Sequence, residues 1–178
     1  MSRAPTVAGV LLAAGAGTRF GMPKVLAEQG EWLRTAVCAL SGSCDDVVVV
    51  LGAAVVDVPE PARPVLAEDW ADGISASIRA GLAAITDAEL VVLHLVDTPD
   101  VGADVVARVV AAAATSGLAR ANYDGRPGHP VVIARRHWPE LEARLAGDEG
   151  ARSFLAGRTD VVAVECGDLA TGADVDVP

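Results

Sequence analysis

The segment VLLAAGAGTRFGMPK, residues 10–24, joins an apolar run to a loop rich in glycine. Such a loop can aim several backbone N–H groups at one phosphate, because glycine reaches conformations and close approaches that other residues avoid. The guanidinium group of Arg19 can donate two hydrogen bonds to phosphate oxygens, and Lys24 can place a positive charge beside them. The glycines of the loop are Gly15, Gly17 and Gly21. We therefore predict a strand that leads into a binding loop for a triphosphate.

Two familiar glycine motifs do not fit this segment. The dinucleotide fingerprint GxGxxG requires glycine where the chain has Phe20, and it needs an acidic residue after the second strand, where the chain has Gly52. The phosphate-loop pattern, GxxxxGK followed by Ser or Thr, is absent because Lys24 follows Pro23. A tight strand-to-helix connection without a ligand is the simpler alternative, but three glycines and two cations in one loop favour phosphate binding.

Short β-branched runs alternate with longer amphipathic runs along the chain, which is typical of stacked strand and helix units. Strands are predicted at residues 6–13, 46–51, 63–66, 90–96 and 161–166, and helices at residues 73–85, 103–116, 136–145 and 148–155. Asp148 can cap the last of these helices. Residues 118–134 differ, because LARANY and HPVVIA flank the turn-rich segment DGRPG and predict a hairpin. The pattern indicates an α/β fold of three layers: a mostly parallel sheet with helices on both faces, plus a β-hairpin insertion.

Composition narrows the class of protein. With 178 residues and 52% hydrophobic content, the chain can bury one sizeable core, so residues 1–178 are expected to form a single domain. A formal net charge of −10 without a basic patch predicts that neither nucleic acid nor an anionic membrane surface is a partner. The cysteines lack paired spacing and are expected to be reduced core residues of a cytoplasmic protein: Cys38, Cys44 and Cys166.

Nothing in the sequence predicts a membrane span. The longest uncharged apolar run, residues 47–56, is about half of what a bilayer requires. A signal peptide is a competing interpretation of the N-terminal stretch, because Arg3 precedes an apolar run and small residues stand at positions 14 and 16. The glycine loop gives the same residues a more specific role, so we favour a strand.

The segment LLAAGAGTRFGMPK resembles the LAAGxGxRxGxPK signature of MobA-like nucleotidyltransferases. Four further segments resemble the molybdenum cofactor cytidylyltransferase branch of that family, in the same order: DGISASIRAGL at 72–82, LVDTPDV at 95–101, GRPGHPVVI at 125–133 and GDEGARSFL at 147–155. The resemblance covers nearly the whole chain. It implies a Rossmann-like nucleotidyltransferase fold, also called the GT-A fold.

The resemblance also implies roles for individual residues. Arg19, Lys24 and Asp97 would be catalytic, and Mg²⁺ would bind Asp97 and Asp176. Alanine in LAAG, in place of the second glycine of LAGG, resembles the branch that uses CTP rather than GTP. The residues expected to bind the nucleotide are Leu12, Ala13, Ala14, Gly15, Ala16, Gly17, Arg19, Lys24, Gly73, Ser75 and Ser77.

Several of these residues have an ordinary structural alternative. Asp97 precedes Thr98 and Pro99 and can cap the following helix instead of binding a metal. Ser75 and Ser77 can face the nucleotide or cap their own helix.

An acceptor site is expected at His129, Pro130 and Arg152. A lone histidine is as often structural, and Arg152 has the alternative of pairing with Glu149 on the protein surface.

The resemblance implies transfer of CMP from CTP to molybdopterin-bound molybdenum, with release of pyrophosphate. The other readings are a guanylyltransferase that uses GTP, a flavin- and NAD(P)H-dependent reductase of the same family, and a binding module without turnover. A molybdoenzyme or its chaperone would be the partner that receives the cofactor.

Overall fold

A seven-stranded sheet forms the centre of the computed structural model, which describes residues 3–178. The strands are β1 (Val7–Leu12), β2 (Asp46–Leu51), β3 (Arg63–Leu66), β4 (Leu90–Leu95), β5 (Leu118–Tyr123), β6 (Arg126–Ala134) and β7 (Val162–Glu165). The helices are α1 (Ala27–Ser41), α2 (Ile74–Ala83), α3 (Ala103–Ser116), α4 (Trp138–Arg144) and α5 (Arg152–Leu155). Short 3-10 turns lie at Lys24–Leu26, Trp70–Asp72 and Arg135–His137.

The order of strands across the sheet is β3-β2-β1-β4-β6-β5-β7. Strand β1 pairs in parallel with β2 and β4, and β2 pairs in parallel with β3. Strand β6 runs antiparallel between β4 and β5, and β7 joins β5 in parallel. The predicted α/β fold with a mostly parallel sheet and an added hairpin is therefore confirmed.

The sheet is covered on both faces, which is why its central strands are apolar throughout. Helices α1 and α3 pack on one face, while α2, α4 and α5 pack on the other. All six residues of β1 are buried. Gly81 of α2 lets the helix approach β1 closely, since a Cβ atom at this position would lie 2.5 Å from Val10 Cγ1. These contacts fix the carboxyl end of β1, where the glycine loop begins.

Three expectations need correction. Helix α1 was not predicted, because the left-handed residues Glu28, Gln29 and Gly30 interrupt the helical pattern near its start. Of the cysteines expected in the core, only Cys166 is buried, while Cys38 is exposed. The predicted helix at 148–155 is reduced to the single turn Arg152–Leu155.

No helix within residues 3–178 has the length and apolar character needed for a membrane crossing. The apolar stretch considered as part of a signal peptide forms β1, a buried interior strand of the sheet.

His94 is one of the buried polar residues of the described chain, together with Ser75, Ser77 and Thr98. It lies on β4, its ring is fully buried, and neither ring nitrogen has a hydrogen-bond partner within the described chain. Burial, with a smaller contribution from the nearby His129, lowers the pKa of His94 to about 3. The folded protein therefore holds this imidazole neutral at pH 7.

This burial predicts that acid destabilises the fold. Unfolding returns the pKa of His94 to about 6.5, so the unfolded chain binds a proton more readily between the two values. The stability that depends on neutral His94 is therefore fully present above pH 6.5. As the pH falls from 7 to 5, the free energy of unfolding should decrease by about 2 kcal/mol.

Urea unfolding of wild type and His94→Leu at both pH values tests this expectation. The variant should lose less stability on acidification than wild type. His137→Gln should change that loss less than His94→Leu does, because His137 is partly exposed, although burial lowers its pKa too. An equal loss in His94→Leu and wild type would contradict it.

Candidate active site

A cavity of about 590 Å³ opens where β1 and β4 end. The glycine loop forms one wall, and Leu95, Val96 and Asp97 after β4 form another. Trp70 and Ile74 contribute a third wall from the segment that leads into α2. Parallel strands place their carboxyl ends at one edge of the sheet, which is where such folds commonly bind ligands.

The glycine loop leaves a row of backbone donors free. Strand pairing stops at the loop: the Ala13 amide donates to the Val50 carbonyl at 3.0 Å, and the Ala53 amide donates to the Ala14 carbonyl at 2.9 Å. Within residues 3–178, the amides of residues 15–19 donate to no carbonyl or side chain. Free amides in a glycine-rich loop can form a site for an anion.

Gly17 determines the shape of this loop. It has a φ of +63°, and a Cβ atom there would lie 1.9 Å from the Met22 carbonyl oxygen. The Gly21 amide closes the turn by donating to the Gly17 carbonyl at 2.8 Å. Phe20, which stands where a dinucleotide fingerprint has glycine, packs on Trp32 of α1 with ring centroids 5.3 Å apart. Phe20 thus anchors the loop to the core.

Lys24 bridges two carboxylates at the mouth of the loop. Its Nζ donates to Asp97 Oδ2 at 2.8 Å and to Asp176 Oδ1 at 3.0 Å. Burial alone would lower the pKa of Lys24, but the hydrogen bonds and charges of the two aspartates outweigh it and raise the pKa. Lys24 in turn lowers the pKa of Asp176, and Arg19 adds to that effect. All four side chains lie within reach of one ligand.

Asp97, Asp174 and Asp176 form a group of carboxylates whose oxygens lie within 4.8 Å of one another. Asp97 Oδ1 is buried and has no hydrogen-bond partner within the described chain. A donor set of carboxylate oxygens alone suits hard divalent cations such as Mg²⁺ or Mn²⁺. Asp174 was missed by the sequence analysis, although it stands two residues before Asp176 in DVDVP.

The C-terminal segment, residues 171–178, carries two of these carboxylates and crosses the cavity edge as a strap. The Val175 amide donates to the Asp97 carbonyl at 2.9 Å. The Thr171 amide and hydroxyl both donate to Asp100 Oδ2, at 2.7 and 2.6 Å. Gly172 lies against the ring of Tyr123, where a Cβ atom would meet Cε2 at 2.1 Å. These contacts place Asp174 and Asp176 beside a residue nearly 80 positions earlier.

On the wall formed by the start of α2, only some of the predicted nucleotide-binding residues line the cavity. Gly73 and Ser77 line the cavity, but Ser75 does not, and its buried hydroxyl has no partner within the described chain. Neither serine caps α2. Asp148 instead accepts a hydrogen bond from the Ile74 amide at 3.3 Å, so it caps α2 and not the helix that follows it in sequence. Asp148 also lines the cavity.

The remaining predicted residues are distributed as follows. Helix α3 begins after Gly102, so Asp97 does not cap it. His129, Pro130 and Arg152 lie outside the cavity lining. Burial, with a contribution from Arg120, lowers the pKa of His129 to about 4 and leaves it neutral at pH 7. Arg152 forms no ion pair within residues 3–178, so the alternative of a pair with Glu149 is not formed.

The loop, the carboxylates and the sheet that presents them belong to a known class of proteins. The sequence profile of the MobA-like NTP transferase domain matches residues 9–162, and the chain is a member of that family. The predicted membership is confirmed.

Individual relatives agree with this assignment. Nicotine blue oxidoreductase of Paenarthrobacter nicotinovorans is 38% identical over 189 residues, which cover 97% of this chain and 93% of that protein. Rv0371c from Mycobacterium tuberculosis H37Rv superposes with a TM-score of 0.79 at 28% identity, covering 98% of this chain and 95% of the other. A crystal structure of Rv0371C in complex with manganese has a TM-score of 0.71 at 25% identity, covering 96% and 94% of the two chains.

The geometry of the loop predicts opposite outcomes for two similar substitutions. Gly17→Ala should lower the free energy of unfolding by about 1–3 kcal/mol, because alanine is strained at positive φ and its Cβ would meet the Met22 carbonyl. Gly15→Ala, where a Cβ has nothing within 4 Å, should change it by less than about 0.5 kcal/mol. Chemical denaturation of both variants and wild type measures the difference. Equal values for the two variants would show that the loop is not held in this conformation.

Proposed function

We propose that this protein transfers CMP from CTP to the molybdenum cofactor and releases pyrophosphate, using a divalent cation such as Mg²⁺. One observation carries the proposal. Lys24, Asp97 and Asp176 line the same cavity as a loop with free amides, and Asp174 lies beside the two carboxylates. That arrangement supplies both halves of a nucleotidyl transfer site, one for the triphosphate and one for its metal.

The glycine loop would bind the triphosphate. The amides of residues 15–19 have no other acceptor in the described structure, so they can donate to phosphate oxygens at no cost to the fold. Arg19 and Lys24 add positive charge at the same wall of the cavity. Leu12, Ala13 and Ala14 line the cavity beside them. Ala14 is the alanine that distinguishes LAAG from LAGG, and this resemblance supports CTP over GTP.

Asp97, Asp174 and Asp176 would hold the cation, and the unpartnered Asp97 Oδ1 is a ready ligand. Rv0371C has been crystallised in complex with manganese, which supports divalent metal use by this chain as well. A bound ion would neutralise charge on the phosphates. Lys24 now pairs with two of the three carboxylates. Lys24 and the metal therefore compete for Asp97, and a triphosphate favours the metal by offering Lys24 a new partner.

Nucleotidyl transfer needs alignment and charge neutralisation more than it needs a protein nucleophile. A phosphate oxygen of the acceptor attacks the α-phosphorus of CTP, and the bond to the β-phosphate breaks as pyrophosphate leaves. Arg19 and Lys24 neutralise the departing group. His129, Pro130 and Arg152 would contact the acceptor, although they lie outside the cavity itself. A cytoplasmic location and a molybdoenzyme or its chaperone as recipient complete the proposal.

A second function has a specific observation in its favour. The relative that is 38% identical is named nicotine blue oxidoreductase. A reductase that uses a flavin has no evident need for a cluster of three carboxylates, two of them paired with a lysine, so the site favours nucleotidyl transfer. The absorbance spectrum of the purified protein separates the two functions, because bound flavin would give a yellow protein that consumes NAD(P)H with the pigment.

The direct test is calorimetric titration with CTP, GTP, ATP and FMN, with and without Mg²⁺, followed by assay of pyrophosphate release with the molybdenum cofactor. We expect tightest binding for CTP with Mg²⁺. Asp97→Asn should reduce the transfer rate a hundredfold or more, on the order expected when a metal ligand is lost. The control is Asp87→Asn, at an exposed carboxylate without an ion pair in the described structure. A change of less than about threefold in Asp97→Asn would remove Asp97 from the site.

The competition between Lys24 and the metal gives a prediction of its own. Lys24→Ala should weaken CTP binding at least tenfold while it strengthens Mn²⁺ binding without nucleotide, because the carboxylates lose their bound cation. Calorimetry with Mn²⁺ alone and with CTP measures both effects. Arg34→Ala, which breaks an exposed pair with Glu31, serves as the control. Unchanged Mn²⁺ affinity in Lys24→Ala would show that the lysine does not occupy the metal position.

A further inference from the structure

Trp70 is a large aromatic residue that lines the cavity of the candidate active site and is partly buried. Phe20, the other aromatic residue of the lining, already packs on Trp32 with ring centroids 5.3 Å apart. The indole of Trp70 pairs with no aromatic ring and no cation within residues 3–178. This ring therefore has aromatic surface at the cavity that no other ring of the described chain covers.

The N–H group of the same indole is also free. A buried tryptophan usually donates this N–H to an acceptor, as Trp138 does by donating from Nε1 to the Ile133 carbonyl at 3.2 Å. Trp70 Nε1 has no acceptor within residues 3–178, and it is not one of the buried polar atoms that lack a partner. The N–H group therefore remains accessible and can donate to a bound molecule.

The backbone of Trp70 is fixed on both sides. The Trp70 amide donates to the Ala67 carbonyl at 3.2 Å, and the Gly73 amide donates to the Trp70 carbonyl at 3.2 Å. The Ala67 amide in turn donates to the carbonyl of Leu51, the last residue of β2, at 2.8 Å. A side chain on a segment held in this way loses little conformational entropy when a ligand binds.

Gly52 provides the space that the indole occupies. A Cβ atom at Gly52 would lie 2.5 Å from both Cβ and Cγ of Trp70, and 2.8 Å from the Ala14 carbonyl oxygen. The start of the indole is therefore a neighbour of Ala14, directly before the free amides that begin at Gly15. A dinucleotide site has an acidic residue at the end of the second strand. In this chain glycine at that position admits an aromatic ring instead.

The order of strands separates Trp70 from the candidate metal ligands. Strands β2, β1 and β4 are parallel neighbours in that order, so β2 and β4 are two strand spacings, about 10 Å, apart. Trp70 is attached at the carboxyl end of β2, the glycine loop follows β1, and Asp97 follows β4. A triphosphate on the loop that contacts a metal on the β4 side extends its nucleoside towards the β2 side, where Trp70 lies.

We propose that Trp70 is the stacking platform for the planar ring of the bound nucleotide. The proposal rests on the proposed function for the identity of that ring, which is then the cytosine of CTP. Stacking on an aromatic side chain tolerates any base, because every base has a π-face. Trp70 therefore supplies affinity for the nucleoside end of the ligand and leaves the choice of base to the groups at its edge. The indole N–H adds a donor for an oxygen of the ribose or the base.

Calorimetric titration of the full chain with CTP and Mg²⁺ tests the platform. Trp70→Leu should weaken CTP binding at least tenfold, while Trp70→Phe, which keeps an aromatic ring, should weaken it less than threefold. Trp138→Phe is the matched control, because Trp138 is buried outside the cavity lining, and it should bind CTP like wild type. Equal CTP affinity in Trp70→Leu and wild type would overturn the proposal.

Tripolyphosphate separates stacking from a structural role of Trp70. It carries three linked phosphates without a ring, so Trp70→Leu and wild type should bind it equally. An equal loss of affinity for tripolyphosphate and for CTP would mean that Trp70 only shapes the glycine loop, and would overturn the proposal. If Trp70→Leu does not fold, tryptophan fluorescence decides. CTP should quench the emission of wild type more strongly than that of Trp70→Phe, and equal quenching would refute stacking.

FMN distinguishes failure of the platform from failure of the proposed function, because its flavin ring is also planar. CTP with Mg²⁺ should bind wild type more tightly than FMN does. FMN binding that depends on Trp70, without CTP binding, would refute the function and assign the platform to a flavin. CTP binding that ignores Trp70 would refute the platform and leave the function.

Discussion

The paired contacts of Lys24 with Asp97 and Asp176 join three segments that are far apart in sequence. Carboxylates this close repel one another unless a cation lies between them. The site as a whole therefore requires positive charge at this point, supplied here by the lysine. The glycine loop, the end of β4 and the C-terminal strap all meet at that position, so each constrains the other two.

Much of the fold follows from local patterns. The apolar runs of β1, β2 and β4 can only be strands buried on both faces, and the turn at Asp124 and Gly125 marks the hairpin of β5 and β6. Helix α1 was harder to predict, since three left-handed residues precede its regular part and break the helical spacing. Asp148 was misassigned because its true partner, the Ile74 amide, lies on another helix. Capping by a distant side chain leaves no local signal.

In the candidate site too, contiguous residues could be predicted from the sequence, whereas residues brought together only by folding could not. The loop residues could be predicted because their amides, glycines and cations are contiguous. The spacing of residues in the sequence does not reveal that the strap reaches the end of β4. Asp174 was missed for that reason.

The strap at residues 171–178 allows the set of candidate metal ligands to be changed separately from the rest of the fold. It supplies two carboxylates to the site, yet six of its eight residues are exposed and none is fully buried. Its attachment relies on the contacts of Thr171, Gly172 and Val175. Mutations elsewhere in the strap can alter or abolish the ligand set without disturbing the sheet. A protein engineer could thus exchange this short peptide as a module and retune metal preference while the body of the molecule stays intact.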